Sequence, residues 1–332
     1  MKIEFLAAGN ENYPSSRYRA YNLAKELNKL GLETKVIPAG SKKYFFNLFL
    51  EFIKLLYFRK KIIYIQKITH PLVRFLCLLH KLKGDKIIFD FDDTIFILEP
   101  KRVRSMINDS DIVIIGNNYL ADYAKKYNKN VFVIPTSIDL DRIEKLKKNY
   151  SIKDKKVIIG WIGSESTLKY LKEVKKLLEK LSKKYSLELW IIGPENSLDG
   201  LRFFKNINIK VIPWKLETEW KELSKIDIGI MPLLDDPWTR GKCGLKALQY
   251  MALGIPAIAS NVGANKEIIQ NGKNGFLASN EKEWIYYLEK LIKNPKLREK
   301  LGKAGRKTVE KDYSLEKNAR KLAKIIKSLE NK

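Results

Sequence analysis

The sequence predicts an α/β protein built of two Rossmann-like, doubly wound domains facing a central cleft. Three observations lead there. Its 332 residues amount to about two domains of chain. Short apolar runs alternate with longer helical patterns throughout, which is the signature of parallel βα units. A polar stretch, Pro135 to Tyr150, interrupts that alternation before it starts afresh.

In the first half the apolar runs expected as strands are Ile3–Ala7, Thr34–Ile37, Ile62–Gln66, Lys86–Asp90, Ile112–Ile115 and Val131–Ile134. Between the first two, Ala20, Leu23, Ala24, Leu27 and Leu30 recur at helical spacing, and Gly31 is placed to end that helix. Pro135 to Tyr150 reads as a polar, helical linker without a core stripe. The second half repeats the scheme with strands at Val157–Gly160, Glu188–Ile192, Ile209–Ile212, Ile228–Met231, Ala257–Ser260 and Gly275–Leu277. Helical patterns at Thr167–Lys183 and Glu217–Lys225 separate them. The expected division is a first domain over 1–150, a second over 151–314, and a helix over about 315–332 packing back on the first. Such sheets bind ligands at the carboxyl ends of their strands.

Charge is the outstanding feature of the composition. Sixty-four Lys and Arg face 38 Asp and Glu, a net +26, which raises a polyanionic partner. The excess is not a tail: 27 basic against 16 acidic residues lie up to residue 150, and 37 against 22 lie after it. No helix-turn-helix, RRM, KH or zinc pattern is present, so nucleic acid is not the expected partner. Cys77 and Cys243, like His70 and His80, lack metal-ligand spacing, and a reducing compartment fits best. Met1 leads directly into a strand without the basic region and cleavage site of a signal peptide, so a cytoplasmic location is expected.

The chemistry is expected in three loops. After the first strand, Gly9-Asn10-Glu11-Asn12-Tyr13-Pro14-Ser15-Ser16-Arg17-Tyr18-Arg19 runs into a helix start. Ser15 or Ser16 can cap that helix, and its free N–H groups with Arg17 and Arg19 suit an anionic or hydroxyl-rich ligand. The fourth strand ends in Asp90-Phe91-Asp92-Asp93-Thr94, the D-x-D-x-T arrangement of haloacid-dehalogenase-type phosphatases, where the first Asp is the nucleophile and the second a general acid beside Mg²⁺. The third loop, within Asp227 to Gly254, carries Arg240-Gly241-Lys242-Cys243-Gly244 ahead of a helix that Gly254 and Pro256 end. Glycines before a helix start let a diphosphate approach the backbone, and Arg240 and Lys242 add fixed positive charge.

These motifs, with Val157-Ile158-Ile159-Gly160-Trp161-Ile162-Gly163-Ser164, Trp190-Ile191-Ile192-Gly193-Pro194, Ile212-Pro213-Trp214 and Gln249-Tyr250-Met251-Ala252-Leu253-Gly254-Ile255-Pro256, resemble the GT-B-fold glycosyltransferases of family 4 (glycosyl transferases group 1). The resemblance extends over nearly the whole chain, through a C-terminal run from Lys296 to Ser314. It implies a retaining transferase that takes a nucleotide-sugar, UDP- or GDP-linked, in its second domain and a hydroxyl acceptor in its first, without a metal. Trp214 would then line the base pocket. Gly163, Ser164, Thr167, Gly193, Pro194 and Gly244 would approach the phosphates or the sugar, while Arg240, Lys242 and Lys246 would meet the departing diphosphate. Asp92 would position the acceptor hydroxyl or the donor sugar, with Gly9, Ser15, Ser16, Arg17 and Arg19 on the acceptor side.

Departures from the family pattern accompany the resemblance. The usual pair of glutamates falls on Gly241 and Gln249. Gln249 can still bond a ribose hydroxyl, whereas Gly241 offers no side chain. The usual Arg and Lys after the first strand of the second domain fall on Trp161 and Ser166, which shifts the diphosphate charge to Arg240, Lys242 and Lys246. Two other readings therefore stand beside the transferase: a Mg²⁺-dependent phosphohydrolase using Asp90 and Asp92, and a non-catalytic sugar-nucleotide binder.

Between Ser41 and Lys86, 11 Lys or Arg face only Glu51 and Asp85, and the same window holds the greasiest run, Tyr44 to Phe58. That run is shorter than the roughly 20 residues of a membrane span. Apolar residues beside cations suit peripheral contact with an anionic membrane at the inner face of the cell, and a lipid-linked acceptor follows from it. The alternative for the same run is a buried core helix.

Overall fold

The structure is a computed structural model of the chain, described over residues 2–39, 61–144, 146, 156–193 and 204–329. The run Tyr44 to Phe58 and Pro194 lie outside the described residues. The chain forms two compact units, and each holds a six-stranded, all-parallel sheet with helices on its faces, the α/β class that the alternating pattern predicts.

Unit 1 comprises Met1–Ser137, Arg240–Cys243 and Ser314–Lys332. Its strands are β1 (Lys2–Ala7), β2 (Glu33–Pro38), β3 (Lys61–Gln66), β4 (Lys86–Phe91), β5 (Ile112–Ile115) and β6 (Val131–Val133), in the order β2-β1-β3-β4-β5-β6. The central strands are apolar on both faces, as parallel strands covered by helices must be. On one face Ile65, Phe89, Phe91 and Ile115 pack with Val73 and Leu76 of the helix Pro71–Leu82 and with Val103 and Met106 of the helix Pro100–Asp109. On the other, Phe5, Tyr64 and Ile88 pack under Leu23 and Leu27. Leu315, Ala319, Leu322 and Ile326 of the last helix, Leu315–Lys327, complete that layer at helical spacing. Each such side chain, once fully buried, contributes on the order of 2 kcal/mol.

Unit 2 comprises Ile138–Thr239 and Gly244–Tyr313. Its strands are β7 (Val157–Ile162), β8 (Leu187–Gly193), β9 (Asn208–Pro213), β10 (Ile228–Met231), β11 (Ala257–Ser260) and β12 (Phe276–Ala278), in the order β12-β11-β10-β7-β8-β9. In both sheets the order reverses beside the first strand, the kind of switch point where doubly wound sheets take ligands.

Three local expectations need correction. The helix after β1 begins at Pro14, not at a serine cap, and passes through a π-helical turn at Arg17–Tyr21 before the regular stretch Asn22–Lys29. Proline is already fixed in helical φ and lacks the N–H that a cap would serve, so Ser15 and Ser16 fall inside the helix. The linker is not a helix where it is described: it holds a short 3₁₀ turn at Asp141–Ile143 and extended chain before it. Finally, Arg240–Cys243, expected in the second domain, belongs to unit 1. Among the described residues no helix is long and apolar enough to cross a membrane.

Candidate functional site

The strand ends of unit 1 converge on a polar network. Gln66, the last residue of β3, accepts from Ala8 N at 3.0 Å and from Ser16 Oγ at 2.9 Å, and donates to Ser15 Oγ at 2.8 Å. Ser16 Oγ also accepts from Gly9 N at 2.9 Å. Ser15 Oγ in turn donates to Asp92 Oδ1 at 2.6 Å. Gly9, Ser15, Ser16 and Asp92 are thus brought together, with Gln66 as the piece that joins them. Pro14 makes this possible, because starting the helix there aims two consecutive hydroxyls back at the sheet edge.

Asp92 and Asp93 are neutralised by a lysine that no local sequence pattern singles out. Lys67 follows β3 directly and has φ 62°, the one positive φ outside glycine among the described residues. Its Nζ lies 3.5 Å from Asp92 Oδ1 and bonds Asp93 Oδ2. Strained backbone of this kind costs on the order of 1–3 kcal/mol and persists where surrounding contacts determine it; here the two carboxylates supply them. Burial alone would push the Asp92 carboxyl up. The positive charges of Lys67 and Arg19 and the hydrogen bonds from Ser15 and Lys67 outweigh it and hold Asp92 below its ordinary value. Burial likewise opposes the charge on Lys67, but Asp92 and Asp93 raise it well above the usual lysine range. At neutral pH Asp92 and Lys67 are therefore held as an ionised pair.

Arg19 and Asp90 play another part than expected. Arg19 is 1% exposed and Asp90 is 0% exposed. Arg19 Nε donates to Asp90 Oδ1 at 3.0 Å, its Nη2 to Asp90 Oδ2, and its Nη1 to the Ile134 carbonyl. Tyr64 OH donates to the same Asp90 carboxylate. Arg19 is thus a buried tie between the helix after β1 and the ends of β4 and β6, not an acceptor contact. Asp90 has no access for a phosphoester, which removes the nucleophile from the phosphohydrolase reading. Arg17 is also buried, with Nη1 donating to the Glu11 carbonyl at 3.2 Å.

The segment Arg240–Cys243 is wedged against the ends of β4 and β5. Asn117 caps the helix Asn118–Ala124 by accepting from Leu120 N at 2.9 Å, and its amide donates to the carbonyls of Gly241 at 3.0 Å and Lys242 at 3.2 Å. Cys243 Sγ donates to the Asp92 carbonyl at 3.3 Å; burial pushes this thiol well above its ordinary value, so it is a neutral donor. A Cβ on Gly241 would stand 2.3 Å from Thr94 Cγ2, and one on Gly116 would stand 2.2 Å from Cys243 Sγ. At position 241 any side chain would meet this contact. Lys242 Nζ lies 3.7 Å from Asp93 Oδ1, whereas Arg240 is exposed. Asn117 was missed by sequence reading. Its only local signal is that of an ordinary cap, since its second task concerns residues 124 positions away.

In unit 2 the expected donor residues gather at neighbouring strand ends. Gly163 N donates to Ile192 O at 3.0 Å and Trp214 N donates to Gly193 O at 2.7 Å, so Gly163, Gly193 and Trp214 follow one another across β7, β8 and β9. Ser164 stands at the N-cap of the helix Glu165–Leu168, and Thr167 Oγ1 turns back to its carbonyl at 2.9 Å. Gly244, at φ 67°, caps the helix Leu245–Ala252, and a Cβ there would meet Ile268 Cδ1 at 2.2 Å; only glycine combines that φ with that space. Lys246 Nζ lies over the Trp161 ring, 5.4 Å from its centre. Gln249, however, is buried, and its amide donates to the equally buried Glu219 Oε1 at 2.7 Å. The amide expected to meet a ribose is engaged within the protein, and Glu219 is the carboxylate that sequence reading overlooked.

The matches to known proteins agree with this architecture. The chain belongs to the glycosyl transferases group 1 family, whose model matches residues 142–308, half of its length. Its fold is that of GT-B glycosyltransferases. A glycosyltransferase from Rickettsia africae superposes with a TM-score of 0.74 at 19% identity, covering 99% of this chain and 98% of that one. Anabaena HepE, solved in complex with UDP and glucose, superposes with a TM-score of 0.72 at 12% identity, covering 99% and 100%. In sequence, the N-acetyl-alpha-D-glucosaminyl L-malate synthase of Bacillus anthracis is 26% identical over 234 residues, 65% of this chain and 59% of that one. The chain spans less than two thirds of the length of the curated relatives it matches.

Proposed function

We propose that this chain is a glycosyltransferase that moves a sugar, with retention and without a metal, from a nucleotide-sugar to a hydroxyl acceptor in cell-surface polysaccharide, glycolipid or glycoprotein assembly. The observation that carries the reading is the row Gly163, Gly193 and Trp214 on adjacent strand ends of unit 2, next in the sheet to the strand that leads into the Gly244-capped helix. Glycines at strand ends let a phosphate approach the backbone closely, and an indole offers a face for a base. HepE, which shares the fold, binds UDP and glucose, and a uridine or guanosine diphosphate sugar is the donor class proposed here.

Unit 1 supplies the acceptor chemistry in this reading. Asp92 is ionised, clamped by Ser15 and Lys67, and partly accessible. Such a carboxylate can orient a hydroxyl by accepting its proton's hydrogen bond, or stabilise positive charge growing at the sugar carbon. Arg240 and Lys242 supply cations for a departing diphosphate, a task that needs no proton transfer. The neighbouring Ser15–Gln66 pair adds a donor and an acceptor of the kind a sugar hydroxyl meets.

Thermal unfolding against a panel of nucleoside diphosphates and their sugar esters tests the reading, since a ligand of the folded state raises its stability by mass action. UDP or GDP is expected to stabilise the chain, and the matching sugar ester to be slowly hydrolysed. Asp92→Asn is expected to abolish that hydrolysis and leave nucleotide binding intact. Tight binding with no hydrolysis or transfer across the panel would make the chain a sugar-nucleotide binder, the reading that Gly241 and the engaged Gln249 favour. Absence of any nucleotide response would remove both.

A further inference from the structure

The helix Pro71–Leu82 is apolar nearly all the way round. Val73, Leu76 and Cys77 face the core. On the opposite side Phe75, Leu78 and Leu82 share one face at spacings of three and four residues, and they are 55%, 37% and 85% exposed. The hydroxyl of Thr69 donates to the Glu99 carboxylate, which brings the short helix Ile95–Leu98 to the start of this one. Ile97 is 45% exposed and Leu98 69%. The described residues leave this face uncovered, the mark of a helix side that takes a partner.

The rim of this face is positive. The helix Pro100–Asp109 packs alongside, tied by Arg74 Nε to Asp109 Oδ2 at 2.5 Å and by Lys81 Nζ to the Asp109 carbonyl at 2.7 Å. Its outer side carries Lys101, Arg102 and Arg104, all exposed, and Lys83 follows Leu82. Among the described residues the acids beside this face already meet bases: Glu99 faces Arg102, Asp109 faces Arg74, and Asp111 lies 4.0 Å from Lys81. Lys83, Lys101 and Arg104 remain as surplus charge around an apolar centre.

We propose that this face of unit 1 docks on an anionic lipid bilayer. Phe75, Leu78, Leu82, Ile97 and Leu98 enter the headgroup boundary, and Lys83, Lys101 and Arg104 meet lipid phosphates. A second copy of the chain is the poorer occupant, because pairing like faces would set one basic rim against another. The inference stands apart from the transferase reading, and its test uses no sugar.

The full chain is sedimented with phosphatidylcholine vesicles and with vesicles that also contain phosphatidylglycerol. Binding is expected to the anionic vesicles only and to weaken with salt. The triple variant Phe75→Ser/Leu78→Ser/Leu82→Ser is expected to partition about tenfold less or worse, with wild-type circular dichroism. Lys101→Glu/Arg104→Glu is expected to lose the preference for the anionic lipid, and both variants to keep a cooperative thermal unfolding transition. Wild-type partitioning by a folded triple variant would overturn the proposal. So would indifference of the wild-type chain to both vesicles, or a dimer in solution that the triple variant dissociates.

Discussion

Lys67 Nζ and Asp92 Oδ1 lie 3.5 Å apart across the ends of two adjacent strands, and the lysine makes that approach from a left-handed backbone. Both side chains are close to buried, at 11% and 13% exposure. Removing the cation therefore leaves a nearly buried carboxylate without its ion-pair partner. Lys67→Met is expected to cost about 3 kcal/mol in urea unfolding at neutral pH. The sign with pH follows from the depressed Asp92 value: its contribution is complete above the unfolded value of about 4 and is lost as pH falls through the folded one. The gap between wild type and Lys67→Met is thus expected to narrow in acid, where the variant's carboxyl protonates first. Lys67→Gly should be less destabilised than Lys67→Met by about 1 kcal/mol, because glycine adopts that φ without strain.

Asp93 sits between two cations, bonded to Lys67 and 3.7 Å from Lys242. If Lys242 serves a diphosphate, Asp93 competes for it. Asp93→Asn is expected to tighten pyrophosphate binding severalfold, about what a partly exposed pair contributes, and Lys242→Ala to weaken it. Isothermal titration with pyrophosphate separates the two directions. Weaker binding in Asp93→Asn would rule out the competition.

Position 241 admits glycine on steric grounds. Gly241→Ala sets a Cβ 2.3 Å from the buried Thr94 methyl, an overpacking expected to lower stability by about 1–3 kcal/mol. Gly241→Glu should be at least as destabilising and should not raise turnover. A Gly241→Ala variant that melts like the wild type would show that the segment has room to shift.

Gln249→Glu would set a second carboxylate where an amide now donates to Glu219 at 2.7 Å. Two buried carboxylates at that distance share a proton, so one folded-state value rises. A raised value in an acid contributes full stability below the unfolded value and loses it as pH increases. The variant is expected to melt near the wild type around pH 4 and several degrees lower at pH 8. An equal difference at both ends would mean that Glu219 has moved away.

Among the described residues all twelve strands lie within a few residues of the apolar runs that predict them, because parallel strands buried on both faces leave continuous apolar runs such as Ile62–Ile65 and Ile112–Ile115. The glycines and Trp214 at the strand ends of unit 2 were also legible, since loop chemistry there is written in consecutive residues. What stayed hidden depends on distant pairs. Arg19 and Arg17 look alike in a string of letters, and only the burial of Asp90 beneath the helix shows that Arg19 is a structural tie. Lys67 gives no local sign of its left-handed backbone, which the carboxylates 25 and 26 residues later impose. Gln249 and Glu219 are 30 residues apart, and no periodicity connects them.

Unit 1 is completed by Leu315–Lys327, which the ribosome delivers after the whole of unit 2. Until Leu322 and Ile326 arrive, the layer over Phe5, Tyr64 and Leu27 is short of its outermost helix. Synthesis therefore runs against the usual vectorial order, in which the first domain finishes first. The earlier unit waits, partly uncovered, for the last helix to emerge. A break anywhere before residue 315 would strand it in that unfinished state.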